Sequence, residues 1–149
     1  MAGAEAGMIE VRLARSAKNV EQCLRLRWTV FVEEQGVRPS LELDGLDSDA
    51  VHALAVLDGV ACGAGRLIFV ASGVARIQRM AVIDDARGRG VGKALLAFLE
   101  DEARRRGATK LTLWAQVQAQ AFYEKAGYTA SGAVQDGTAI PHVSMEKSA

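Results

Sequence analysis

The chain opens on a period-two pattern. Over residues 8–14, Ile9, Val11 and Leu13 alternate with Glu10 and Arg12, which predicts an amphipathic first strand. Ser16 and Asn19 can each cap the helix that follows. Val20, Cys23, Leu24, Arg27, Val30 and Phe31 recur at helical spacing, and Leu26 and Trp28 widen that face. The helix runs out near Gly36, with Pro39 beyond it as a stop. Strands are predicted at 51–57, 60–70 and 74–82, joined by tight turns at Asp58-Gly59 and Ser72-Gly73. In the last of these, Ala75, Ile77 and Ala81 share one side, and Val74, Met80 and Val82 the other.

The helical period returns at 90–106. Val91, Ala94, Leu95, Phe98, Leu99 and Ala103 form its apolar face, Glu100, Asp101, Arg104 and Arg105 are expected to point away, and Gly107 closes it. A short apolar strand at 110–115 follows. Reached by a helical crossover, it is expected to run parallel to 74–82. A helix at 116–126 stops at Gly127, and 128–134 and 140–145 make a closing hairpin across Gln135-Asp136-Gly137. The order β-α-(α)-β-β-β-α-β-α-β-β predicts an α/β (α+β) fold: a mixed, mostly antiparallel sheet flanked by helices.

Composition narrows the class. The 149 residues suffice for one domain, here 8–149 after a flexible N-terminal tail at 1–7. Hydrophobic residues make up 50%, which argues against disorder. No run approaches the ~18 apolar residues of a membrane span, and the first residues lack the basic and apolar regions of a secretory signal. Cys23 and Cys62 form neither a disulfide framework nor a metal site, so a cytoplasmic protein with free thiols, no metal and no membrane is expected. A formal net charge of zero gives a nucleic-acid-binding face no support.

The chemistry concentrates where the third of those strands becomes the long helix. Arg87-Gly88-Arg89-Gly90-Val91-Gly92-Lys93 puts three glycines and three cations at that junction. A helix start carries unpartnered N–H groups and partial positive charge, so an anion such as a phosphate suits it. From Arg76 to Lys93 there are five cations (Arg76, Arg79, Arg87, Arg89, Lys93) against Asp84 and Asp85. A P-loop is excluded because position 87 is Arg and position 94 is Ala. A dinucleotide fingerprint is excluded because Lys93 or Leu95 stands where its third glycine belongs.

Arg87-x-x-Gly90-x-Gly92 does fit the pattern R/Q-x-x-G-x-G/A. In this the chain resembles the GNAT N-acetyltransferase superfamily, which holds the pyrophosphate of acetyl-coenzyme A in such a loop. Two further stretches carry the resemblance. Arg79-Met80-Ala81-Val82 is similar to the family's bulged fourth strand, and Phe122-Tyr123-Glu124-Lys125-Ala126-Gly127-Tyr128 to its FYEKxGF segment. Phe31 to Val37, Leu43-Asp44, His52, Arg66-Leu67 and Pro141-His142 resemble the ElaA-like branch, while Arg38 to Glu42 and the spacing at Ala139 depart from it.

The resemblance implies acetyl transfer from acetyl-CoA to a primary amine by direct attack in a ternary complex. It implies cofactor contacts at Met80, Ala81, Val82, Arg87, Gly88, Arg89, Gly90, Val91, Gly92, Lys93, Gln116, Ala119, Phe122, Tyr123 and Lys125. Tyr123 would be the general acid, since a phenol can protonate a leaving thiolate. Glu34 and His142 are candidate bases, with relay through water as an equal alternative. Glu33, Glu34, His52, Arg66, Arg79 and His142 are candidate acceptor contacts. The acid-rich stretch from Glu33 to Asp49 reads as a solvated loop, or else as a lip that attracts a cationic amine. The expected partner is a small-molecule or peptide amine, and a sheet edge at the closing hairpin could pair two subunits. The alternative reading is a non-catalytic acyl-CoA sensor. A weaker one is a signal synthase, because Phe31 to Gln35 also resembles autoinducer synthases.

Overall fold

The computed structural model describes residues 7–135 and 140–149. Most of the predicted tail at 1–7, the Asp136-Gly137 part of the hairpin turn, and Ala139 lie outside them. Seven strands are hydrogen-bonded in the order β1-β2-β3-β4-β5-β7-β6, where β1 is Ile9–Leu13, β2 Val51–Leu57, β3 Val60–Ala71, β4 Val74–Val82, β5 Lys110–Gln116, β6 Thr129–Ala130 and β7 His142–Ser148. β1 and β2 pair antiparallel, as do β5 with β7 and β6 with β7. β4 and β5 are parallel neighbours, as the crossover predicts. The helices are α1 (Ala17–Arg27), α2 (Pro39–Glu42), α3 (Val91–Arg105) and α4 (Gln120–Lys125). Among the described residues no helix is long and apolar enough to cross a membrane.

The chain divides into two compact units, one running up to Arg66 and including Arg79–Leu99, the other Leu67–Gln78 with Glu100–Ala149. In the first, Ser16 is the cap of α1: its Oγ accepts from the Asn19 amide at 3.1 Å. The predicted continuous helix is two helices in one. After Arg27 the chain widens into a π-helix, Trp28–Glu34, with the Gln35 amide reaching back five residues to Val30 O at 3.0 Å. Val30 and Phe31 remain buried as the spacing requires. Pro39 does not merely stop the preceding helix; it opens α2. Cys23 packs with Ala14, Leu54, Val56 and Ala64 in the core of this unit. Glycines in β3 let α3 approach. A Cβ at Gly63 would sit 3.1 Å from Val91 Cγ1, and one at Gly65 2.6 Å from Leu99 Cδ1.

In the second unit, Leu111, Leu113, Val143 and Met145 are fully buried. Three expectations change here. Glu100 does not point away from the core: it is buried and accepts from Tyr128. The helix expected at 116–126 is shorter, because Gln116 still belongs to β5 and residues Val117–Ala119 form one 3-10 turn before α4. The closing hairpin has only two residues in β6, while β7 lies inside the sheet against β5. An edge so short is a poor template for pairing two subunits.

Candidate active site

In the first unit the glycine loop leads from β4 into α3. Gly88 and Gly90 adopt φ of 76° and 87°, a left-handed backbone that favours glycine. The first α-helical bond of α3 runs from the Ala94 amide to Gly90 O at 3.0 Å. The amides of Val91, Gly92 and Lys93 therefore have no partner within the helix. Arg89 and Lys93 are exposed, and neither is in an ion pair among the described residues. Three helix-start amides, two flanking cations and an absence of side chains at Gly88, Gly90 and Gly92 suit a diphosphate.

Arg87 is engaged differently. Its Nη1 and Nη2 donate to the two carboxylate oxygens of Glu34 at 2.6 and 2.7 Å, and its Nε to Val82 O at 2.9 Å. Hydrogen bonding from Arg87 lowers the Glu34 carboxyl below its usual range, and the same bonds raise the Arg87 guanidinium. A carboxylate held this way is a weaker base.

The linker after the π-helix is exposed at most of its positions, as a solvated loop would be, but three of its acids are paired. Glu42, Asp44 and Asp47 turn inward onto Arg27, Arg66 and Arg79. Arg27 and Arg66 are fully buried. Arg27 Nε donates to Glu42 Oε1 at 2.9 Å and Nη1 to Asp47 Oδ1 at 2.7 Å. Arg66 grips Asp44 through two bonds, 2.9 and 2.7 Å, and reaches Asp47 at 2.9 Å. Arg79 stands at φ 56°, an uncommon value for a non-glycine residue, and donates to Leu41 O at 2.9 Å and Asp44 Oδ2 at 3.2 Å. Three cations meet three anions, so the group is neutral.

Two acceptor-contact expectations are corrected as a result. Arg66 has no exposed surface, and His52 is buried with Nε2 donating to Asp47 O at 2.8 Å. Both hold the linker down. Arg79 turns Nη2 to the same task, while its buried Nε has no hydrogen-bond partner among the described residues. Glu33 keeps an exposed side chain. Sequence reasoning missed Arg27, Glu42 and Asp47 as a working group. The signal was there: a cation on an apolar helical face, and an acid-rich linker with Arg38 as its single basic residue.

In the second unit Tyr123 is buried on α4, edge-on to Phe122 at 5.0 Å and to Tyr128 at 6.0 Å between ring centroids. Burial pushes its phenol up to about 12. Phe122 is part-exposed, Lys125 exposed, and Ala119 caps α4. Gln116 pairs in register with His142 across β5 and β7, and accepts from Gln118 Nε2 at 2.8 Å. His142 Nδ1 lies 2.6 Å from Ile140 O. A carbonyl only accepts, so Nδ1 donates in this contact. The β4–β5 ladder runs from Val74↔Lys110 to Ile77↔Leu113, although β4 continues to Val82 and β5 to Gln116. Among the described residues no cluster of His, Cys, Asp and Glu could hold a metal ion.

A family profile described as an acetyltransferase (GNAT) domain matches residues 16–149. The chain belongs to the GNAT acetyltransferase family. Other likenesses agree with the GNAT assignment. It is 34% identical over 137 residues to the uncharacterized N-acetyltransferase YjcF of Bacillus subtilis, covering 91% of this chain and 96% of YjcF. A Lactobacillus plantarum protein assigned as an N-acetyltransferase superposes with a TM-score of 0.87 at 32% identity, over 94% of this chain and 97% of that one. Escherichia coli ElaA superposes with a TM-score of 0.82 at 27% identity, over 94% and 99%. The mixed seven-stranded sheet is thus a GNAT sheet, and the general activity of a GNAT protein is acetyl transfer from an acyl-CoA.

Proposed function

We propose that this protein is an acetyl-CoA-dependent N-acetyltransferase that acts on a primary amine by direct attack in a ternary complex. The observation that carries the reading is the start of α3. In a GNAT chain, Arg87-x-x-Gly90-x-Gly92 opens a helix whose amides at Val91, Gly92 and Lys93 lack helical partners. Those amides, with Arg89 and Lys93, would hold the diphosphate. On β4, the strand backbone near Met80 to Val82 would pair with the pantetheine amides. When bound, acetyl-CoA supplies an activated thioester.

The chain's own groups have limited tasks. Backbone N–H groups at Met80 to Val82 stabilise charge on the thioester oxygen. Tyr123, kept protonated by burial, donates a proton to the departing sulfur. Glu34 is held by Arg87, so His142 or relay through water is the better candidate to relieve the amine of its proton. A covalent acetyl-cysteine finds no support. Cys23 is buried with its thiol pushed up to about 11, and burial also raises Cys62. Free thiols also favour a reducing, cytoplasmic setting.

The acceptor is a small-molecule or peptide amine. The linker's pull on a cationic one is reduced to Glu33 and Asp49, because its carboxylates at 34, 42, 44 and 47 are already paired. The experiment is a screen of amines with acetyl-CoA, following free coenzyme A thiol. Acceptor-dependent thiol release is expected. Tight binding of acetyl-CoA with no release for any amine would favour a sensor instead.

A further inference from the structure

We propose that Glu34 is a positioning residue of the phosphate loop, and that Arg87 acts there as a strut and not as a phosphate ligand. The inference rests on the acetyl-CoA reading above and gives the first residue of the loop motif a different task.

A guanidinium has five N–H donors, and those of Arg87 already span three pieces of backbone. Nε holds Val82 O at the end of β4, at 2.9 Å. Nη1 and Nη2 hold Glu34, the last residue of the π-helix, at 2.6 and 2.7 Å. Nη1 also lies 3.4 Å from Asp84 Oδ1, in the turn between β4 and the loop. The paired geometry is the planar fork that lysine cannot reproduce. The two side chains are 39% and 41% exposed, so the pair adds little to global stability. What it does add is a fixed distance between the π-helix and the residue from which Gly88 to Gly92 depart. With Arg87 balanced by Glu34, the positive charge left for an anion resides on Arg89, Lys93 and the helix-start amides.

Three roles for Glu34 predict different results when it becomes neutral. If it only offset charge, its loss would leave the loop more positive and coenzyme A would bind more tightly. As the general base, its loss would cut turnover and leave coenzyme A affinity intact. A positioning residue gives the third result: weaker binding at a site that has become more positive.

The test uses the full chain and its Glu34→Gln, Arg87→Gln, Arg87→Lys and double Gln variants, with coenzyme A affinity measured by calorimetry. Kinetics use the amine that gives the most thiol release, and circular dichroism checks folding. Glu34→Gln should weaken coenzyme A binding about fivefold, raise the KM for acetyl-CoA in step, and lower kcat far less than it raises KM. Arg87→Lys should bind no better than Arg87→Gln, since charge without the fork does not restore the strut. The double variant should be no weaker than Arg87→Gln alone. Unchanged or tighter binding in Glu34→Gln would overturn the proposal, as would lower kcat at unchanged affinity. If the unaltered chain itself bound no coenzyme A, the acetyl-CoA reading would fall first, and that result is distinct from either.

Discussion

Tyr128 donates its phenolic hydrogen to Glu100 Oε2 at 2.8 Å, and Lys147 Nζ meets the same oxygen at 3.1 Å. Lys147 also donates to Ala126 O at 2.7 Å, just past the C-terminal end of α4. Burial, and then the Glu100 carboxylate, push the Tyr128 phenol far above its ordinary range. Because Tyr128 lies edge-on to Tyr123, this knot anchors the helix that carries the proposed acid. Tyr128→Phe should cost about 1.5 kcal/mol and a few degrees in Tm, read as a lower urea midpoint. An unmoved midpoint would mean that the hydroxyl is not the anchor.

The linker network makes stability depend on acid. Hydrogen bonds from Arg66 hold the Asp44 carboxyl far below the usual range. Burial pushes Asp47 up, but donors from Arg27 and Arg66 outweigh it and the net shift is downward. Both groups titrate near 4 in an unfolded chain. Their contribution is therefore complete above that pH and is lost as pH falls through the lower folded values. Asp44→Asn should cost about 3 kcal/mol at pH 7 because it strips a partner from buried Arg66. The gap between variant and wild type should narrow in urea melts taken at progressively lower pH. A gap that stays constant would take the Asp44 charge out of the account.

Gly90 combines a φ of 87° with a place at the start of α3. Gly90→Glu should abolish coenzyme A binding, by backbone strain and by a carboxylate where the diphosphate belongs. Gly90→Asn, which tolerates a left-handed backbone better, should retain measurable affinity. Calorimetry on both variants separates the two effects. Equal affinity in Gly90→Glu and wild type would remove the loop from the binding site.

Tyr123→Phe should slow turnover about a hundredfold, the lower end of general acid catalysis, and change coenzyme A affinity little. With the phenol pushed up to about 12, no alkaline loss of kcat traceable to Tyr123 should occur below about pH 11. Stopped-flow turnover across pH 7–10 with the best amine checks both. Unimpaired turnover in Tyr123→Phe would assign the proton to another donor.

Where an element depends on near neighbours, the sequence predicts it closely. β4 falls at residues 74–82 as its alternation predicts, and the Asp58-Gly59 turn has both residues at positive φ, the form that a two-residue hairpin needs. α3, Val91–Arg105, begins and ends within a residue of its expected bounds, with Gly107 in the turn beyond it. The π-helix was not visible, because its spacing differs from an α-helix by less than one residue per turn. The length of α4 was misjudged for a related reason: Gln116 and Val117 fit a helical or an extended backbone, and it is register with His142 that draws Gln116 into β5.

The candidate site divides along the same line. By itself the sequence determined the strand-loop-helix junction and its anion-seeking character, because three glycines and a helix start act through bonds a few residues long. Only the tertiary structure decided which charges remain available there. Glu34 and Arg87 are 53 positions apart, and Arg66 and Asp44 are 22 apart. No local rule selects among the acids and arginines that could pair at such separations. The fold selects by bringing side chains within about 3 Å of one another, and around buried Arg27 and Arg66 an unpaired charge could not be left.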